Sequence, residues 1–163
     1  MEIRKAAIGD FEIINGLAVS TWPDAYSKIL SQEQIEYMLD EMYSLNAITD
    51  QIAIKGHHFL ILSADGKDLG FASYELNHLS EVTKLHKLYV LPETQGTGAG
   101  KLLLSKVENA AKANGNDKII LNVNRFNSAV NFYVKNGYVK VKEEDINIGN
   151  GYLMEDFVME KQL

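Results

Sequence analysis

Cysteine is absent from the 163 residues. That excludes disulfides, thiolate zinc sites, iron–sulfur clusters and a cysteine nucleophile. Basic residues are in deficit: 16 Lys and Arg against 22 Asp and Glu, a net charge of −6. A general nucleic-acid binder needs a basic face, so no nucleic-acid partner is expected. No run of about 18 apolar residues occurs, which excludes an apolar helical membrane span. Met1-Glu2-Ile3-Arg4 lacks the basic-then-apolar layout of a signal peptide. The expectation is a soluble, cytoplasmic protein without a membrane partner, whose acidity suits a small cationic one.

What is present is ordinary globular composition, 46% apolar and 23% charged. A chain of this length forms one domain, here residues 1–163, and buries roughly 70% of its unfolded surface without staples. Ile3 to Ala7 reads as a strand, and Asp10 as the N-cap of a helix with Phe11, Ile14, Leu17 and Ala18 at helical spacing. Trp22-Pro23 is expected to break that helix. Ser31 and Gln34 form a capping box for a second, with Ile35, Met38, Leu39 and Met42 as its apolar stripe. Three strands follow, His57–Ser63, Leu69–Leu76 and Glu81–Leu91, with an Asp65-Gly66 hairpin signal between the first two. Helices are expected at Ala99–Asn114 and Ala129–Lys135, the latter capped by Asn127 or Ser128. Strands are expected at Ile119–Val123, Tyr138–Lys142 and Met154–Glu160, with Glu143-Glu144-Asp145 and Gly149-Asn150-Gly151 in a connection. The order specifies a mixed α/β layered domain.

The most informative stretch is Leu88 to Leu102, in which a strand ends, glycines follow and an amphipathic helix begins. Backbone N–H groups at such a helix start have no internal partners and sit at its positive end. Glycines let an anion approach them, so the physical output is a phosphate cradle. A Walker loop would need glycine at Gln95 and a hydroxyl at Leu102; a dinucleotide fingerprint begun at Gly96 would need glycine at Lys101. Neither fits.

Gln-x-x-Gly-x-Gly at Gln95, Gly98 and Gly100 resembles the pyrophosphate-binding motif of the GNAT N-acetyltransferases, which bind acetyl-CoA. Leu88 to Glu93 is similar to the strand before that motif. Asn127, Ala129, Phe132, Tyr133, Lys135, Gly137 and Tyr138 resemble the family's second cofactor segment. One departure stands out: the family's asparagine lies three residues before the alanine, where this chain has Phe126, and Asn127 lies two before. The resemblance covers nearly the whole chain. It implies one domain whose central, mostly antiparallel, twisted sheet of about six to seven strands is flanked by helices. It further implies that acetyl-CoA is held by Leu88, Tyr89, Val90, Gln95, Gly96, Thr97, Gly98, Ala99, Gly100, Lys101, Asn127 and Tyr133.

Acetyl transfer to an amine sets chemical demands. Without cysteine, direct attack by the amine in a ternary complex is expected. Only on the order of one amine in a thousand is neutral at pH 7, so a general base is needed. Strand alternation puts Lys84, His86, Leu88 and Val90 on one face and Leu85, Lys87 and Tyr89 on the other. Many relatives carry a glutamate at the position of His86, making it one base candidate; Glu75 is the other. Tyr133 falls where the family carries its general acid, which protonates the departing thiolate. A backbone N–H near Leu88 to Val90 is expected at the carbonyl oxygen. His57 and His58 point to opposite faces of a strand and cannot chelate one ion, so no metal is expected.

For the acceptor, Trp22, Tyr26, Tyr74, Glu75, Tyr152 and Asp156 offer aromatic faces and carboxylates to a cationic chain. The tail from Gly151 to Lys161 is similar to the endings of the diamine and spermidine acetyltransferase type. A polyamine or other small amine is therefore expected. A peptide or protein N-terminal amine and a non-catalytic acyl-CoA sensor are the alternatives. The edge strand near the C-terminus offers a surface for a homodimer.

Overall fold

The computed structural model describes all 163 residues. Seven strands form one sheet in the order β1-β2-β3-β4-β5-β7-β6. They are β1 (Glu2–Lys5), β2 (His57–Ala64), β3 (Lys67–Leu79), β4 (Val82–Val90), β5 (Lys118–Asn124), β6 (Val139–Gly149) and β7 (Tyr152–Gln162). The helices are α1 (Phe11–Tyr26), α2 (Gln32–Tyr43), α3 (Leu45–Ala53), α4 (Ala99–Ala113) and α5 (Ala129–Lys135). Only β4 and β5 pair in parallel. The expected mixed, mostly antiparallel architecture is what forms.

The centre of the sheet is buried on both faces, as the unbroken apolar run of β2 requires. Phe59 and Ile61 point into a core with Ile14, Trp22 and Tyr43 beneath α1–α3. Leu60 and Leu62, on the opposite face, join Leu103, Val107 and Leu121 beneath α4 and α5.

Five local expectations are corrected. Helix α1 runs through Pro23 to Tyr26. The carbonyl that loses its donor to Pro23 belongs to Val19, which is half exposed and open to water. Asp10 makes no side-chain cap. Its carboxylate instead accepts two 2.8 Å bonds from Arg4 and one from the Ala7 N–H. Helix α3 was not expected; Ser44 ends α2 and starts α3, its hydroxyl accepting from the Ala47 N–H at 3.2 Å. The supposed connection at Glu143–Asp145 is strand, paired with Glu155–Phe157 of β7.

The fifth correction lies in β4. Its register against β3 slips between Ser73 and Tyr74: Ser73 faces Lys87, but Tyr74 faces Leu85. His86 is the extra residue of a β-bulge, which bends the strand and breaks its alternation. Leu85 packs with Leu88 and Val90 toward α4. His86 and Lys87 both turn to the α1–α3 side, where Lys87 donates to Gln51 of α3 at 2.7 Å and His86 stacks on His57.

Candidate active site

Beyond the bulge the sheet parts. The β4–β5 ladder holds four residue pairs, from Val82–Lys118 to Leu85–Leu121, and then stops. Strand β4 continues against β3 as far as Val90, while β5 continues against β7 as far as Asn124. One edge of β4 from His86 to Val90 is therefore left without a strand partner. A cleft of about 490 Å³ fills the gap, walled by Leu85–Val90, Leu121–Val123, part of α1 and the start of α5. An unpaired edge in a cleft can bond an extended, amide-bearing ligand as a strand would.

The glycine turn closes one end. Gly98 has φ 89° and serves as the N-cap of α4 with no side-chain cap, so the first N–H groups of α4 are left for a ligand. Gln95, Gly96, Gly98, Gly100 and Lys101 all line the cleft. Gln95 also donates to Asp24 of α1 at 3.0 Å, tying the turn to the opposite wall. Thr97 and Ala99 do not line it: the Thr97 hydroxyl donates back to the Thr94 carbonyl at 2.6 Å, and Ala99 is buried. The donor set, the free backbone N–H groups at the start of α4 with Lys101 beside them, fits the pyrophosphate of acetyl-CoA.

Asn127 and Tyr133 line the cleft as well. The Asn127 side-chain Oδ1 accepts from the Ala129 N–H at 2.9 Å, so this residue braces the first turn of α5, whose N-cap is Ser128, as well as lining the cleft. Tyr133 is buried; burial first, then Tyr26, pushes its phenol above the ordinary range and keeps it protonated.

The candidate bases meet. The Glu75 Oε2 lies 2.9 Å from His86 Nε2 and 2.8 Å from His78 Nδ1. Burial pushes Glu75 up, but the bonds to His86 and His78 outweigh it, so its carboxyl falls below the usual range. Burial, and then His57, hold the His86 ring neutral, its pKa down to about 3. His57 and His78 were not anticipated from the sequence. His57 sits directly across from Glu75. His78 returns to Glu75 where the β3–β4 register breaks again and Asn77 takes φ 53°.

The expected substrate residues divide. Tyr26 lines the cleft, its hydroxyl 2.9 Å from that of Tyr89. Trp22 is fully buried and donates to the Tyr43 hydroxyl at 3.3 Å, a core position outside the cleft. Tyr74 lies on the other face of the sheet, stacked on His58 with ring centroids 5.1 Å apart. Tyr152 packs on Tyr37, 5.4 Å between centroids, at the β6–β7 hairpin. Asp156 is 5% exposed and its Oδ1 has no hydrogen-bond partner. Burial, with Glu144 adding repulsion, pushes it up to about 6, although Asn122 bonds it.

Comparison with known proteins agrees with this geometry. Residues 26–161 match the family model described as an acetyltransferase (GNAT) domain. The chain is 34% identical to a spermidine N(1)-acetyltransferase of Thermoplasma acidophilum, over 99% of this chain and 97% of that one. It is 32% identical over 65% of its length to an aminoglycoside N(6')-acetyltransferase type 1 of Stenotrophomonas maltophilia, covering 64% of that protein. The crystal structure of a PaiA N-acetyltransferase from Thermoplasma acidophilum, in complex with coenzyme A, superposes with a TM-score of 0.83 at 33% identity, over 99% of this chain and 98% of that one. No helix is long and apolar enough to cross a membrane. A sheet opened at a β4 bulge, a glycine-started helix beside the opening and these likenesses converge: the chain belongs to the GNAT family and is an acetyl-CoA-dependent N-acetyltransferase.

Proposed function

We propose that the acceptor is a polyamine or another small cationic amine, and that it attacks acetyl-CoA directly in a ternary complex. The observation that carries the acceptor class is Asp156: a buried carboxylate with an unpartnered oxygen, on β7 beside Glu144 of β6. A buried carboxylate calls for a cation to neutralise it. The likeness to a spermidine acetyltransferase supports the same class. Tyr26 and Glu75 hold the reacting end of the amine, and Asp156 and Tyr152 its distal charge.

The chain's residues divide the chemistry as follows. The free N–H groups at the start of α4 hold the pyrophosphate, and the open edge of β4 holds the pantetheine arm and polarises the thioester carbonyl. Acetyl-CoA supplies the activated acyl group. His86 Nε2 faces Glu75, which fixes the ring proton there, leaves Nδ1 to accept the proton of the attacking amine, and as a carboxylate favours the charged ring against the burial that holds it neutral. As the carbon–nitrogen bond forms and the carbon–sulfur bond breaks, Tyr133 donates its proton to the sulfur and takes one back from solvent.

The test is an acceptor panel of spermidine, spermine, putrescine, an aminoglycoside and an alanyl peptide, followed by release of free thiol. Saturable turnover of the polyamines with intersecting double-reciprocal plots is expected. Turnover of the peptide alone would overturn the acceptor class. Parallel plots with an isolable acetyl-enzyme would overturn direct attack.

A further inference from the structure

Three of the four histidines in the chain gather about one carboxylate. The donor atoms of His57, Glu75 and His86 all lie within 4.8 Å of one another, one residue from each of β2, β3 and β4. From Glu75 Oε2 the distances are 2.8 Å to His78 Nδ1, 2.9 Å to His86 Nε2 and 3.9 Å to His57 Nε2. Four ligands around a tetrahedral zinc ion stand about 3.3 Å apart; the donor atoms of His57, Glu75 and His86 lie within about 1.5 Å of that spacing, and His78, held by Glu75, would turn toward them to complete the shell.

His57 is the residue the acetyl-transfer chemistry leaves unexplained. Its side chain is 8% exposed, its Nδ1 has no partner, and its Nε2 lies 3.9 Å from Glu75, beyond hydrogen-bond reach. A buried imidazole without a hydrogen bond is an exception that needs a reason. Its ring lies stacked on that of His86, centroids 3.9 Å apart and 17° from parallel, and the Nε2 of each faces Glu75. Metal ligation takes imidazole nitrogens in their neutral form.

We propose that His57, Glu75 and His86, with His78 as a fourth donor, form a binding site for a divalent cation of the zinc class. Imidazole nitrogens with one carboxylate select zinc over magnesium or calcium, which require oxygen ligands. The expectation of no metal rested on the pair His57-His58; His58 does face away, stacked on Tyr74, but His57 finds its partners on other strands. Occupation has a consequence that rests on the proposed base. A metal on His86 Nε2 moves the ring proton to Nδ1 and removes the lone pair that accepts from the amine, so acetyl transfer stops.

The experiment titrates EDTA-treated, metal-free full-length protein with zinc sulfate by calorimetry, and with cobalt(II) by visible absorption. One ion per chain and the intense visible bands of four-coordinate cobalt are expected. His57→Gln should weaken zinc by more than about tenfold, and His58→Gln on the opposite face should leave it unchanged. If His57→Gln fails to fold by circular dichroism, His78→Gln removes a donor from a half-exposed position and should weaken zinc in the same direction. No saturable uptake below millimolar zinc, or undiminished affinity in these variants, would overturn the site. Zinc should also suppress acetyl transfer reversibly with EDTA, read from acetylated product because free thiol itself binds zinc. A zinc-loaded enzyme at full activity would overturn the His86 base and leave the metal site standing.

Discussion

Tyr133 and Asp156 are each buried against their own chemistry, with opposite consequences. A buried phenol stays protonated, which costs the fold nothing and keeps a donor ready beside the cleft. Tyr133→Phe should lower kcat by about 10²- to 10⁴-fold with a melting temperature within a few degrees of the parent; unchanged turnover would reject the acid role. A buried carboxylate pays for its position. Asp156 titrates at about 6 in the folded chain, against an ordinary value of about 3.9. The folded state therefore holds this proton more tightly, and its contribution to stability is complete below pH 4 and lost as pH rises through 6. Asp156→Asn should accordingly stabilise the protein at pH 7.5, by an amount on the order of 1–2 kcal/mol in urea melts, while raising KM for the amine. A destabilised variant with unchanged KM would show that Asp156 serves the fold alone.

At the scale of elements, the bulge at His86 does most to make the site. It turns His86 and Lys87 to one side and leaves the strand edge beyond them unpaired. Gly70 is built for the bent strand: a Cβ there would lie 2.6 Å from the Tyr89 carbonyl oxygen, a backbone atom that cannot step aside. Gly70→Ala should destabilise by about 1–3 kcal/mol and raise KM for acetyl-CoA, measured by denaturant melts and initial rates. Bulges also explain what was legible in the sequence and what was not. The Asp65-Gly66 turn fixes Ala64 opposite Lys67, and from there simple counting sets His57 against Tyr74. A bulge between Leu62 and Ser63 shifts the register by one, and His57 meets Glu75 instead. Alternation likewise put Leu85 with Lys87 and missed that His86 and Lys87 share a face. The glycine turn was readable because its chemistry is local: glycines, a helix start and free N–H groups are adjacent in the chain. Helix α3 was hidden because a single residue, Ser44, separates it from α2.

At the scale of the molecule, the net charge of −6 surrounds a cradle made of backbone dipoles. Anionic acetyl-CoA and the cationic acceptor proposed above should respond to salt differently. Raising sodium chloride should raise KM for spermidine more than KM for acetyl-CoA; equal changes would argue against a long-range role for the acidity. The parted sheet has a further consequence. Residues 2–90 and 118–162 contribute the two sides of the sheet, and four rungs of one parallel ladder join them. A ligand lying along the open edge would supply the absent rungs and act as a zip between the halves. Those amide hydrogens of β4 and β5 beyond Leu85 and Leu121 that face the gap should then exchange quickly in the free enzyme and slow together when coenzyme A is added. At a hundred times its Kd, coenzyme A should add about 2.7 kcal/mol to the stability of the whole chain. The cosubstrate would then complete the sheet, and a melting curve would report occupancy before any acetyl group has moved.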